Sequence, residues 1–251
     1  MRWWLGLVAC LACRISTASP QPAPNKEVEA AEVALAARDS ERALRLFARA
    51  CAAGDQHACA RQGFYLVYDN HDPARVATAV RLWITACDTA GDPLACSNLA
   101  GCYSDGEGVP HDDKRSALLF AKACDRDDNF SCGQLALAYS EGTGVEHDLP
   151  RAFALADKGC RLKSPSACTI LGLGWSRGWN GRSDPLRAVA LFRSSCERDD
   201  VGGCFQLGFA LRAGRGVARD PVQARQYFEK ACRRAPDLEG CMQELGPPAT
   251  R

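Results

Sequence analysis

Residues 132–160, CGQLALAYSEGTGVEHDLPRAFALADKGC, hold one complete structural unit. Leu135, Ala136 and Tyr139 recur at helical spacing. Gly142-Thr143-Gly144 then interrupts the pattern, and glycine accepts the left-handed conformation that closes a helix end. Asp148 stands where a carboxylate can accept hydrogen bonds from the orphan amides of a following helix. That helix runs through Ala152, Ala156 and Cys160. The stretch predicts a helical hairpin with a cysteine near each end.

The unit repeats along the chain. Cys132 and Cys160 are 28 residues apart, and the same interval separates Cys59 from Cys87, Cys96 from Cys124, Cys168 from Cys196, and Cys204 from Cys232. Steps of 8 or 9 residues join the blocks, so the period is 36 or 37. Five identical intervals do not arise by chance, and repetition at this length marks a solenoid. The fifth block has Leu207, Gly208 and Leu211, then Gly214-Arg215-Gly216, then Asp220-Pro221 with proline at the first helical position. The second matches with Leu99, Ala100, Tyr103, Gly106-Glu107-Gly108 and Asp112. The fourth keeps Leu171, Gly172, Trp175 and Asp184-Pro185 but has Gly178-Trp179-Asn180-Gly181 at its turn. In the first, Asp69-Asn70-His71 replaces the glycine turn.

These lines, above all Leu135-Ala136-Leu137-Ala138-Tyr139-Ser140-Glu141-Gly142-Thr143-Gly144-Val145 and Leu207-Gly208 through Gly214-Arg215-Gly216-Val217, resemble the Sel-1-like repeat, a relative of the tetratricopeptide repeat. With its regular cysteines the chain further resembles the cysteine-rich, secreted Hcp-type branch of that family. The likeness covers residues 51 to about 245. It implies an all-α solenoid of stacked helical hairpins that serves as an adaptor. It also brings in penicillin-binding or β-lactamase activity, under which some members of the branch are catalogued.

A cysteine ends each block's second helix and another begins the next block's first helix. The expected disulfides are Cys51–Cys59, Cys87–Cys96, Cys124–Cys132, Cys160–Cys168, Cys196–Cys204 and Cys232–Cys241, because adjacent antiparallel helices bring such positions within disulfide reach. The rival is zinc, whose sites usually space cysteines two to four apart with four ligands converging. Here the pairs are spread one per repeat along a rod, so disulfides are preferred and no metal site or cofactor is expected. Cys102 is left over, where other repeats place Ala138, Gly174 and Ala210. It reads as a small buried thiol in a close helix contact; the alternative is a reactive thiol.

At the N-terminus, Arg2 precedes an apolar run that continues to Ala12, and Ser16-Thr17-Ala18 fits a signal-peptidase site. Residues 1–18 are read as a signal peptide, giving a periplasmic or secreted protein. The alternative takes Leu7-Val8-Ala9-Cys10 as a lipobox, with Cys10 carrying a membrane anchor. Residues 19–26 form a proline-rich linker. Residues 27–52 form a first hairpin whose apolar positions are Val28, Ala31, Val33 and Leu35, then Leu44, Leu46 and Phe47, with Ser40 opening its second helix. Residues 53–246 form five repeats and a truncated cap in which Cys241 starts a helix stopped by Gly246-Pro247-Pro248; 247–251 are a tail.

Composition narrows the function. Lys plus Arg is 31 against 30 Asp plus Glu in 251 residues, which gives no electrostatic footprint for nucleic acid. Every serine lacks a lysine three positions on, as Ser97, Ser176 and Ser183 illustrate, so the Ser-x-x-Lys pair of serine β-lactamases is not written here. His57, His71, His111 and His147 form no metal motif, and His111 and His147 occupy one turn slot of consecutive repeats. The acidic doublets Asp112-Asp113 and Asp199-Asp200 read as turn residues. Function then falls to surface shape. In tetratricopeptide relatives the first helix of each repeat lines the concave side, which implies a groove of Phe64 and Tyr68, Gly101 and Asp105, Leu137 and Glu141, Leu173 and Arg177, and Phe205, Phe209 and Arg212. Such a groove suits an extended peptide or another protein's tail; the alternative is that its apolar members are ordinary packing between helices.

Overall fold

Every helix begins on a residue whose side chain accepts a hydrogen bond from one of its first amides. The computed structural model describes residues 25–68, 72–235 and 241. Among them run α1 (Lys26–Ala36), α2 (Ser40–Ala52), α3 (Gln56–Val67), α4 (Pro73–Ala90), α5 (Pro93–Asp105), α6 (Asp113–Cys124), α7 (Asn129–Glu141), α8 (Leu149–Arg161), α9 (Pro165–Arg177), α10 (Pro185–Glu197), α11 (Val201–Ala213) and α12 (Pro221–Arg234), with no strand. The signal segment, the lipobox at Cys10, most of the linker, Asp69-Asn70-His71 and Gly246-Pro247-Pro248 lie outside the described residues.

The caps are Asn25 for α1, Ser164 for α9 and aspartate for the other ten. Each is worth about 1 kcal/mol. That matters because isolated helices shorter than roughly 12–15 residues are marginal in water. The cap of α2 is Asp39, which accepts from the Arg42 amide, not Ser40; Ser40 is already inside the helix. Val33 also departs from expectation. It is 70% exposed, and α1 packs on α2 through Ala31 and Ala34 instead.

Consecutive helices pack in pairs, and each pair packs on the next. The result is an α/α solenoid in which a hairpin touches only its neighbours. Six cysteine pairs stand at bonding distance at the hairpin junctions, all six as expected, with Cα separations from 4.5 to 5.5 Å. Each closes a loop worth about 2–3 kcal/mol on the chain-entropy argument. A second tie accompanies three of them. Lys122 Nζ donates to the Cys87 carbonyl at 2.5 Å, Lys158 to Cys124 at 2.6 Å and Lys230 to Cys196 at 2.6 Å. Each ammonium adds a second donor to a carbonyl in a helix's last turns that already accepts a backbone amide, at the helix end where the macrodipole favours a cation.

Within repeats, an arginine in the first turn of the second helix stacks on an aromatic ring of the first. Arg115 lies 5.5 Å from the Tyr103 ring, Arg151 4.6 Å from Tyr139 and Arg187 4.7 Å from Trp175, a favourable quadrupole contact. The glycine turns lock one repeat to the one before. Gly142 closes α7 in the left-handed region. Gly144, at φ +71°, packs so tightly that a Cβ would stand 2.1 Å from the Asp113 carbonyl oxygen of the preceding repeat.

Candidate functional site

The side chains of α3, α5 and the start of α7 surround a cleft of about 470 Å³, within the size range of ligand sites. One wall is aromatic: Phe64 on α3 and Tyr68 just past its end have ring centroids 5.4 Å apart, and Tyr65 braces both at 5.1 and 6.1 Å. Tyr68 is 63% exposed and Phe130, on the opposite side, 47%. Two large apolar rings thus face solvent across the cleft. Trp83 lines the cleft from α4; it is otherwise buried, its Nε1 donating to the Ala60 carbonyl at 3.1 Å. Gly101 leaves the floor open, since a Cβ built there meets nothing within 4 Å.

The cleft opens here because α5 and α7 barely touch. α3 packs on α5, α7 on α9 and α9 on α11, while α5 and α7 share no more than a weak contact. Their contact is polar and small: Ser131 Oγ donates to Ser97 Oγ at 2.9 Å. Elsewhere the equivalent space is reduced to a notch between one repeat's second helix and the next repeat's first. Asp113, Ser116, Ala117, Phe120, Gln134 and Leu137 form one of about 110 Å³. The same positions two repeats on, Pro185 to Phe209, form one of about 70 Å³. Between these two the notch is filled by Trp179, 7% exposed in the cluster of Ala152, Ala156, Ile170 and Leu171.

The residues expected to line a groove therefore divide. Phe64, Tyr68, Gly101 and Asp105 meet in the cleft. Leu137 and Glu141 lie in the adjoining notch. Leu173 is half-buried against the core, and Arg177 is exposed at the end of α9. Phe205 corrects the expectation. It is 6% exposed, with its ring centroid 5.9 Å from Phe228, so it is core and not groove. Phe209 is half-buried edge-on to Phe228 at 5.1 Å, with the Arg212 guanidinium 5.1 Å above its ring. Phe130 and Asp128 went unread in the sequence. An aromatic two residues after an aspartate cap, where other repeats have Leu94, Ser166 and Gly202, was the available signal.

Cys102 also borders the cleft but is 6% exposed. Burial pushes its thiol up to about 12, and Glu107 and Asp105 add to the shift; a thiol held protonated is a poor nucleophile. His111 behaves as a turn residue, with Nδ1 2.8 Å from the Ser104 carbonyl oxygen. His57 joins α3 to α5 through Asp92 at 2.8 Å, and that hydrogen bond raises its imidazole pKa. The arrangement offers apolar surface and carboxylates for binding.

Comparison with known proteins agrees with this geometry. The sequence profile of the Sel1 repeat matches residues 36–55, 93–128, 131–164, 165–200 and 201–235. No curated protein matches the sequence. Among solved structures, a Sel1 repeat protein of Oxalobacter formigenes is 27% identical with a TM-score of 0.69, over 87% of this chain and 88% of that one. A protective antigen of uropathogenic Escherichia coli displaying an SLR fold, c5321, is 24% identical with a TM-score of 0.65, over 88% of this chain and 50% of that one. The cysteine-rich protein B of Helicobacter pylori is 29% identical with a TM-score of 0.41, over 54% of this chain and 96% of that one. The penicillin-binding or β-lactamase reading finds no support in these matches. With the repeat matched over more than half of its length, the chain belongs to the Sel1 repeat family.

Proposed function

We propose that this protein is an extracytoplasmic scaffold whose concave side holds an extended segment of a partner protein. The observation that carries the reading is the open cleft between α3, α5 and α7, where Tyr68 and Phe130 expose rings that a monomer has no need to leave in water. Exposed apolar surface of this kind rimmed by polar groups marks interaction sites. The setting follows from the thiol chemistry. Six cysteine pairs, one at each hairpin junction, persist in an oxidising compartment and are rare in the cytosol, which accords with the export signal read at residues 1–18.

Gly101→Leu tests the site without disturbing the fold. The position is helical, a side chain there meets open space, and the equivalent positions in the next two repeats are Leu137 and Leu173. Replacing a mid-helix glycine adds up to about 1 kcal/mol of stability. A leucine there fills the floor of the cleft. Peptides selected on the oxidised protein from a random display library should bind Gly101→Leu at least about tenfold more weakly, while its melting temperature stays level or rises. Undiminished binding would discard the cleft as the site.

A further inference from the structure

Two of the helices that border the cleft end with the wrong sign of charge for their own stability. Asp105 is the last residue of α5 and Glu141 the last of α7. The C-terminus of a helix carries partial negative charge and favours a cation; the equivalent residue of α9, Arg177, has that sign. Both carboxylates are exposed, and neither has an ion-pair partner among the described residues. Asp105 stands in the cleft itself, which Asp128 also lines, and Glu141 stands one repeat further along. Unpaired acids held at an electrostatic cost beside exposed aromatic rings fit a cationic occupant.

We propose that the cleft takes a basic protein segment, in which an apolar or aromatic anchor sits over Gly101 between Phe64, Tyr68 and Phe130 while flanking lysine or arginine side chains meet Asp105, Asp128 and Glu141. This rests on the binding reading above and adds the partner's chemistry to it. The anchor leaves water against aromatic walls. Its cationic neighbours gain from the carboxylates and from the open faces of Tyr68 and Phe130. An acidic segment meets like charge, and the phosphates of a nucleic acid do too. The roles differ: the rings supply affinity, and the acids choose the partner and speed its arrival.

Three synthetic peptides separate the two claims. Each carries a Phe-Leu anchor, flanked on both sides by lysines, serines or glutamates, and is titrated against the oxidised full chain. The lysine peptide should bind about tenfold more tightly than the serine peptide, and the glutamate peptide more weakly than either. Raising salt from about 0.05 M to about 0.5 M should erase most of that difference by screening. The double variant Asp105→Asn, Glu141→Gln, which leaves only Asp128 of the three acids, should remove most of the lysine advantage, keep the serine peptide's affinity and melt at the same or a higher temperature. Equal binding of lysine and serine peptides by the native chain overturns the charge assignment while leaving the cleft reading in place. Binding of all three that Gly101→Leu leaves untouched overturns the cleft reading, and no binding of any peptide overturns both.

Discussion

Trp179→Ala is expected to destabilise the solenoid by about 3–5 kcal/mol, the range for removing a buried tryptophan. The indole is 7% exposed and occupies the space that stays open as a notch one repeat before and one repeat after. Its fit against α9 is close: a Cβ added at Gly174 would lie 3.0 Å from the indole Cε3. Because each hairpin touches only its neighbours, the loss should stay local. Amide hydrogen exchange should therefore quicken in α8, α9 and α10 and remain slow in α3, α4 and α5. A uniform rise along the whole chain, or no loss of stability, would contradict the plug.

The second large effect separates two glycines that look alike in sequence. Gly142 and Gly144 both have positive φ, +75° and +71°. At Gly142 a Cβ would stand 3.5 Å from its nearest neighbour, the His147 side chain. Alanine there bears only the left-handed strain of about 1–2 kcal/mol. At Gly144 the neighbour is backbone, the Asp113 carbonyl oxygen at 2.1 Å and its carbon at 2.4 Å. Neither can step aside without moving the start of α6. Gly144→Ala therefore adds overpacking to the strain, about 2–5 kcal/mol in total, and denaturant titration should rank it well below Gly142→Ala. Equal losses at the two positions would show that the turn does not bear on the preceding repeat.

What was legible in the sequence is what has period. The cysteine spacing recurs at 36 or 37 residues, the aspartates Asp112, Asp148, Asp184 and Asp220 at 36, and the Gly-x-Gly turn in three of the five repeats, and together they specify hairpins, their stacking and their cross-ties. The cleft was legible in part. Phe64, Tyr68, Gly101 and Asp105 follow from phasing one helix against the next. What escaped is what depends on contacts between repeats. Phe205 occupies a slot held by Ser97, Gly133 and Thr169 in other repeats, and sequence alone does not say that Phe228 turns it inward. Trp179 sat in a turn that merely broke the pattern; that it reaches back to Gly174 needs the three-dimensional register. Val33 fitted helical spacing, yet the small faces of Ala31 and Ala34 decide the contact.

Covalent ties between successive hairpins are the premise of the architecture, and a proteolytic map of the unreduced protein reads them directly. After alkylation under denaturing conditions, the map should contain Cys51–Cys59, Cys87–Cys96, Cys124–Cys132, Cys160–Cys168, Cys196–Cys204 and Cys232–Cys241 as linked peptides. Among the described cysteines, only Cys102 should carry the alkyl group. Recovery of Cys124 and Cys132 as separate alkylated peptides, or each linked to a different cysteine, would contradict both the cross-tied solenoid and its oxidising setting.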